Sequence, residues 1–223
     1  MARAVLFDAA GTLIETRSSV GEAYSAIARK HGVELPAWRL QDAFRRVFPA
    51  MPPMCFERDT RAQIEAQERA WWQETVRRTL LATDSTVRFA DFDAYFDGLW
   101  RHFAAPTNWQ LRRDATAALR ALADAGVRLG IVSNFDLRLP KILEGLEIES
   151  FFECTVLPGT HHRAKPDPRV FDPALSTLGA SASEAVYVGD QPEVDGTAAS
   201  AAGLGFIDVG PLDSLARLTE ILR

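Results

Sequence analysis

Short apolar runs that stop abruptly at a polar residue constrain the fold of this chain more than any other feature. Val5-Leu6-Phe7 ends at Asp8 and is followed at once by Gly11-Thr12. Val127 to Val132 ends in Ser133-Asn134, and Val186 to Val188 ends in Gly189-Asp190. Runs of this length without alternation read as strands buried on both faces. Cys154 to Leu157 and Leu204 to Val209 read as further strands. Between them the apolar residues take helical spacing: Arg113 to Ala125 with a stop at Gly126, Leu137 to Leu146, and Arg169 to Leu178 with a stop at Gly179. Pro173 inside the last of these predicts a bend or a later start. The small residues Thr197 to Ala202 predict a closely packed helix, and Leu212 to Leu222 a final one. Strands alternating with helices predict an α/β fold with a doubly wound, Rossmann-like parallel sheet, whose ligands bind at the carboxyl ends of the strands.

The stretch from Ser18 to Thr107 breaks that rhythm. It holds long helical patterns, Val20 to His31, Leu40 to Phe48, Thr60 to Leu81 and Phe92 to Phe103, and no strand signal. The expected organisation is therefore a core of residues 1–17 and 108–223, interrupted by an inserted helical module of residues 18–107. At 223 residues, the chain is long enough to bury such a core without staples.

Composition excludes several function classes. The net charge of −5 gives no basic field for nucleic acid or an anionic membrane. No apolar run approaches the roughly 20 residues of a membrane span, and Met1 to Phe7 is too short for a signal peptide. Cys55 and Cys154 suggest free thiols in a reducing compartment. The expectation is a soluble, cytoplasmic protein.

Signals for chemistry occur in a fixed order: Asp8-Ala9-Ala10-Gly11-Thr12, then Ser133-Asn134, then Lys165-Pro166, then Gly189-Asp190 with Asp195 five residues on. Each alone is a common strand end, but the ordered set resembles the motifs of the haloacid dehalogenase superfamily. The inserted module resembles that superfamily's helical cap. Gly21-Glu22-Ala23-Tyr24, Trp71-Trp72, Thr107-Asn108-Trp109-Gln110 and Ser133-Asn134-Phe135-Asp136 are similar to the haloacid dehalogenase-like hydrolase domain-containing protein 3 subgroup.

The resemblance implies phosphoryl transfer from a small phosphorylated substrate to Asp8, giving an aspartyl-phosphate. An anion must then approach an anion, which a divalent cation can mediate. Asp8 and Asp190 are the hard oxygen ligands that Mg²⁺ prefers. The resemblance adds the carbonyl of Ala10 as a ligand and Asp195 behind a metal-bound water. Ser133 is expected to donate to a phosphate oxygen, and Lys165 to offset the developing charge and hold Asp8. The amides at Gly11 and Thr12 are expected to offer donors to the phosphate. Asn134 reads equally as a phosphate contact or a turn former.

The chain departs from the resemblance at Ala10, where phosphatases of this superfamily carry a second aspartate as general acid and base. Positioned acid–base catalysis is worth roughly 10²–10⁴ in rate, so the expected activity is weak or restricted to activated phosphates. The alternative is a catalytically impaired module that binds phosphate, metal or a partner. Alanine there also resembles phosphonoacetaldehyde hydrolases, but Lys30, the only lysine of the inserted module, reads as a solvated cation near a helix end. Dehalogenation ranks lower because Asp190 points to a cation site. His161-His162 has no third ligand nearby, Trp71-Trp72 reads as packing, and Arg45, Arg46 and Arg58 read as a solvated face.

Overall fold

The computed structural model describes residues 2–56 and 60–222. In chain order the elements are β1 (Ala4–Phe7), β2 (Ile14–Thr16), α1 (Val20–Lys30), α2 (Ala37–Val47), α3 (Arg61–Thr83), α4 (Phe92–Ala104) and β3 (Trp109–Leu111). They continue with α5 (Ala115–Asp124), β4 (Arg128–Val132), α6 (Leu139–Gly145), β5 (Cys154–Val156), α7 (Pro158–His161) and α8 (Asp172–Leu178). The last are β6 (Ala185–Gly189), α9 (Thr197–Ala202), β7 (Gly205–Asp208) and α10 (Leu218–Ile221). The chain divides into two compact units. Unit 1 comprises Met1–Glu15, Cys55–Glu57 and Gln110–Arg223, and unit 2 comprises Thr16–Met54 and Arg58–Trp109.

Unit 1 is built on a parallel sheet in the order β5-β4-β1-β6-β7. The chain runs outward from β1 through β4 to β5, then returns to the other edge of β1 to lay down β6 and β7. The direction of winding therefore reverses at β1, where such folds open a crevice. Phe7 is in register with Ile131 on β4 and Val188 on β6. The residues that follow on the three central strands thus emerge at the same end. All of β1 is buried, as its unbroken apolar run requires. Ala4 and Leu6 pack on one side with Val132, Phe171 and Tyr187. Phe7 meets Phe152 edge-on at 6.3 Å. The doubly wound α/β fold expected from the sequence is the fold observed.

Three local differences from the sequence reading have physical causes. The region Arg169 to Leu178 splits into a 3₁₀ turn over Pro168–Phe171 and then α8, with Pro173 in its first turn, where a missing N–H is harmless. The expected helix Leu212 to Leu222 reduces to α10 behind a 3₁₀ turn, because Ser214 Oγ takes the Ala216 N–H and starts the winding later. Strands β2 and β3, which pair in a separate two-stranded sheet, are too short for any period to show.

Unit 2 contains α1 to α4. A capping box of Ser19 and Glu22 starts α1, and one of Thr60 and Gln63 starts α3. Its core is aromatic: Tyr24, Tyr95 and Phe96 are buried among Leu40, Val76, Leu80 and Leu99, with Trp72, Phe89, Trp100 and Phe103 packed around them. No helix among the described residues is long and apolar enough to cross a membrane.

Candidate active site

Asp8 continues β1 by one residue, its N–H donating to the Val188 carbonyl at 2.9 Å, and its carboxylate is almost wholly buried. Lys165 reaches it from the loop after α7. The three protons of the ammonium group each find an acceptor: Asp8 Oδ1 at 2.7 Å, Asp195 Oδ1 at 2.7 Å and the Tyr187 hydroxyl at 2.6 Å. Tyr187 in turn donates to the Val132 carbonyl at 2.7 Å. Burial alone would discharge the Lys165 ammonium, but the charges of Asp8 and Asp195 outweigh it and hold its pKa above the ordinary value. The tyrosine is held well above its ordinary value, first by burial and then by the Asp8 and Asp195 charges, so the phenol stays a neutral donor.

Asp190 follows β6 on the other side of Asp8. Its Oδ1 accepts from the buried Thr12 hydroxyl at 3.0 Å. Burial first, and the charge of Asp8 second, push its carboxyl above the usual range. Two glycines make this crowding possible. A Cβ on Gly11, whose φ is +92°, would lie 2.4 Å from Asp190 Oδ2, and one on Gly189 would lie 2.3 Å from Asp195 Oδ2.

Several residues singled out in the sequence take more specific positions than expected. The amides of Gly11 and Thr12 were expected to face a phosphate. Instead they close the turn, donating to the carbonyls of Ile14 at 2.8 Å and Ala9 at 3.2 Å, and the Thr12 side chain serves Asp190. Ser133 is buried at the end of β4, and its Oγ accepts from the Phe135 N–H at 3.3 Å, which leaves the hydroxyl proton available to a ligand. Asn134 meets the backbone of Lys165. Its Nδ2 donates to the Lys165 carbonyl at 2.9 Å and its Oδ1 accepts from the Lys165 N–H at 2.8 Å. Asp195, assigned from resemblance to a metal-bound water, gives Oδ1 to Lys165 and Oδ2 to the Gln191 N–H at 3.1 Å.

Sequence reasoning missed Tyr187, which sits in β6 where any aromatic reads as core. It also missed Arg112, whose guanidinium donates to the carbonyls of Gly11 at 2.9 Å, Leu212 at 2.9 Å and Val209 at 3.2 Å, and so pins the Asp8 turn from behind.

The resemblance implies a divalent cation, and the residues present bear on it directly. Asp8 and Asp195 are buried with the Lys165 ammonium that pairs with both, and Asp190 beside them is half-buried. Neither of the two ion pairs of Lys165 reaches Asp190, whose carboxyl is raised by burial first and by Asp8 second. Among the described residues, no cluster of three His, Cys, Asp or Glu side chains is arranged around one point. Asp8 and Asp190 are hard oxygen donors, which with waters for the remaining positions fit Mg²⁺ rather than a cation that needs an all-protein cage.

Most of the remaining candidates meet partners of their own. The imidazoles of His161 and His162 turn to different partners, Thr160 Oγ1 at 2.7 Å and the Phe56 carbonyl at 2.8 Å. Trp71 and Trp72 pack edge-on at 5.0 Å. Arg46 pairs with Asp42 on an exposed face, Arg45 is not buried, and Arg58 lies outside the described residues.

The profile of the haloacid dehalogenase-like hydrolase family matches residues 2–203. Haloacid dehalogenase-like hydrolase domain-containing protein 3 of Danio rerio is 33% identical over 188 residues, covering 84% of this chain and 76% of the relative. The protein of the same name from Bos taurus is 31% identical over 211 residues, covering 94% and 82%. A haloacid dehalogenase-type phosphatase from Thermococcus onnurineus shares the fold at a TM-score of 0.66, with 22% identity and 99% and 97% of the two chains covered.

Proposed function

The chain belongs to the haloacid dehalogenase-like hydrolase family, and on that premise we propose that it is a phosphatase-type hydrolase of small phosphorylated compounds with Asp8 as its nucleophile. The observation that supports this most is the fixing of one Asp8 oxygen by Lys165 at 2.7 Å, at the end of the central strand. With Oδ1 held, Oδ2 attacks phosphorus. The bond to the leaving oxygen breaks with its electron pair, and an aspartyl-phosphate forms. Water then attacks phosphorus, the Asp8 carboxylate departs, and phosphate and a proton leave the site. Lys165 and the Ser133 hydroxyl stabilise the phosphoryl oxygens during both steps. Asp8, Asp190 and the Ala10 carbonyl would hold Mg²⁺, which would supply charge neutralisation for the approach of one anion to another.

Ala10 can neither protonate the leaving oxygen nor activate the water. Leaving groups that depart as stable anions, such as acyl and aryl phosphates, are therefore the preferred substrates. The test is Mg²⁺-dependent turnover across phosphate esters of graded leaving-group pKa, with Asp8→Asn as the control. The expected result is a steep fall in rate as leaving-group pKa rises, and a gain on alkyl phosphates of roughly 10²-fold in Ala10→Asp. Absence of turnover on every ester in both Ala10 forms would leave the reading of a phosphate-binding module in its place.

A further inference from the structure

We propose a second ligand site, within unit 2, that takes a small organic anion with a compact apolar body. A cavity of about 440 Å³ lies between α1 and α4, inside the range of roughly 300–1,000 Å³ typical of small-molecule pockets. Ile27 and Lys30 stand on one face of α1, one turn apart, and Gly98, Arg101 and His102 on one face of α4. Ile27, Ala94 and Gly98 supply an apolar floor, while Lys30 and Arg101 are exposed and supply the charge.

The charge balance points to an anion. The cavity has a single carboxylate, Asp97, which is already neutralised by an ion pair to Arg69. Arg69 is held elsewhere, its guanidinium carbon 5.0 Å from the centre of the Phe96 ring and 5.3 Å from that of Trp100. The remaining titratable groups facing the cavity are Lys30, Arg101, His31 and His102. Burial, and then the charge of Lys30, hold His102 below its ordinary value, so that an uncharged imidazole lies within the field of that lysine. Lys30 and Arg101 both lie in the last turns of their helices, where cations complement the helix dipole. That role needs no cavity. It also does not explain why two separate helices bring their cations to one concave surface whose one carboxylate, among the described lining residues, is taken by Arg69.

The ligand is a carboxylate or phosphate head on a small apolar body, the head between Lys30 and Arg101 and the body over Ile27 and Gly98. The site is independent of Asp8 and of the hydrolase reading. The probe is benzoate, with benzyl alcohol as the same body without charge, and the readout is the His102 imidazole titration followed by NMR, assigned through His102→Gln. Benzoate is expected to raise the His102 pKa saturably, in Asp8→Asn as in the wild-type chain, while benzyl alcohol leaves it unmoved. Lys30→Ala combined with Arg101→Ala, both surface changes, is expected to weaken benzoate at least about tenfold, the loss of a charge-assisted hydrogen bond. An unmoved His102 at saturating benzoate, an equal response to benzyl alcohol, or wild-type affinity in the double variant would each overturn the proposal.

Discussion

In unit 1 the polar side chains that matter are buried and reach across the sequence. Lys165 binds Asp8, Thr12 binds Asp190, and Arg112 binds the carbonyl of Gly11. In unit 2 the ion pairs are mostly local and exposed, as between Arg46 and Asp42, Arg61 and Glu65, and Arg78 and Glu74, and the interior is aromatic. Exposed i,i+4 pairs contribute little, whereas a buried charge left alone is costly. The polar framework of unit 1 therefore tolerates poorly the loss of a compensating partner such as Lys165, while the surface of unit 2 can change charge freely around a core that cannot.

The sharpest way to break this comparison is Lys165→Met, which leaves Asp8 and Asp195 facing each other without a cation. The expected loss is about 3–5 kcal/mol, read from urea unfolding without Mg²⁺. Because the Lys165 pKa is raised above 10.5 in the folded protein, its contribution is fully present below that value and is lost only as the pH rises through the raised one. The gap between wild type and variant should stay level from about pH 7 to about pH 9. A gap that closes within that range would show that the ammonium is not the compensating charge.

Tyr187→Phe keeps the ring but removes an acceptor from Lys165 and a donor from Val132. The expected loss is about 1–3 kcal/mol. Its specific mark is an alkaline limb of the rate profile moved to lower pH, since Lys165 then holds its proton less well. A stability loss with an unmoved pH profile would make Tyr187 a packing residue only.

Asp190→Asn separates the metal from the framework. The Asp190 pKa is raised, so ionising this carboxyl costs stability, and that cost grows as the pH rises from the ordinary carboxylate value through the raised one. Without Mg²⁺ at neutral pH the variant should melt no lower than the wild type. With Mg²⁺ the wild type should gain and the variant should not. Equal gains would place the cation elsewhere. At the small end, Arg46→Ala in unit 2 should change stability by no more than about 0.5 kcal/mol. A larger loss in chemical denaturation would mean that the exposed pairs of unit 2 carry more than their geometry suggests.

The parts legible in the sequence were those with their own period or punctuation. Asp8, Ser133 and Asp190 stood out because each ends an apolar run, and the helices of unit 2 because their patterns are long. Asn134 and Tyr187 were not legible in these roles, because their partner, Lys165, is remote in sequence and meets them only through strand order and register. Asp195 was visible as an acid, but its engagement with Lys165 depends on the turn over Pro192–Gly196, which no periodicity announces.

The carboxamide of Asn134 does for Lys165 what a neighbouring strand does inside a sheet. It presents one donor and one acceptor to a single residue's N–H and C=O, and so supplies one rung of a ladder where no strand exists. The rung is also chemically perishable. Hydrolysis of that amide to a carboxylate would swap the donor facing the Lys165 carbonyl for a second acceptor, turning half of the rung from attraction to repulsion. One ageing event at a residue that need never touch substrate would loosen the backbone beneath the lysine that holds Asp8.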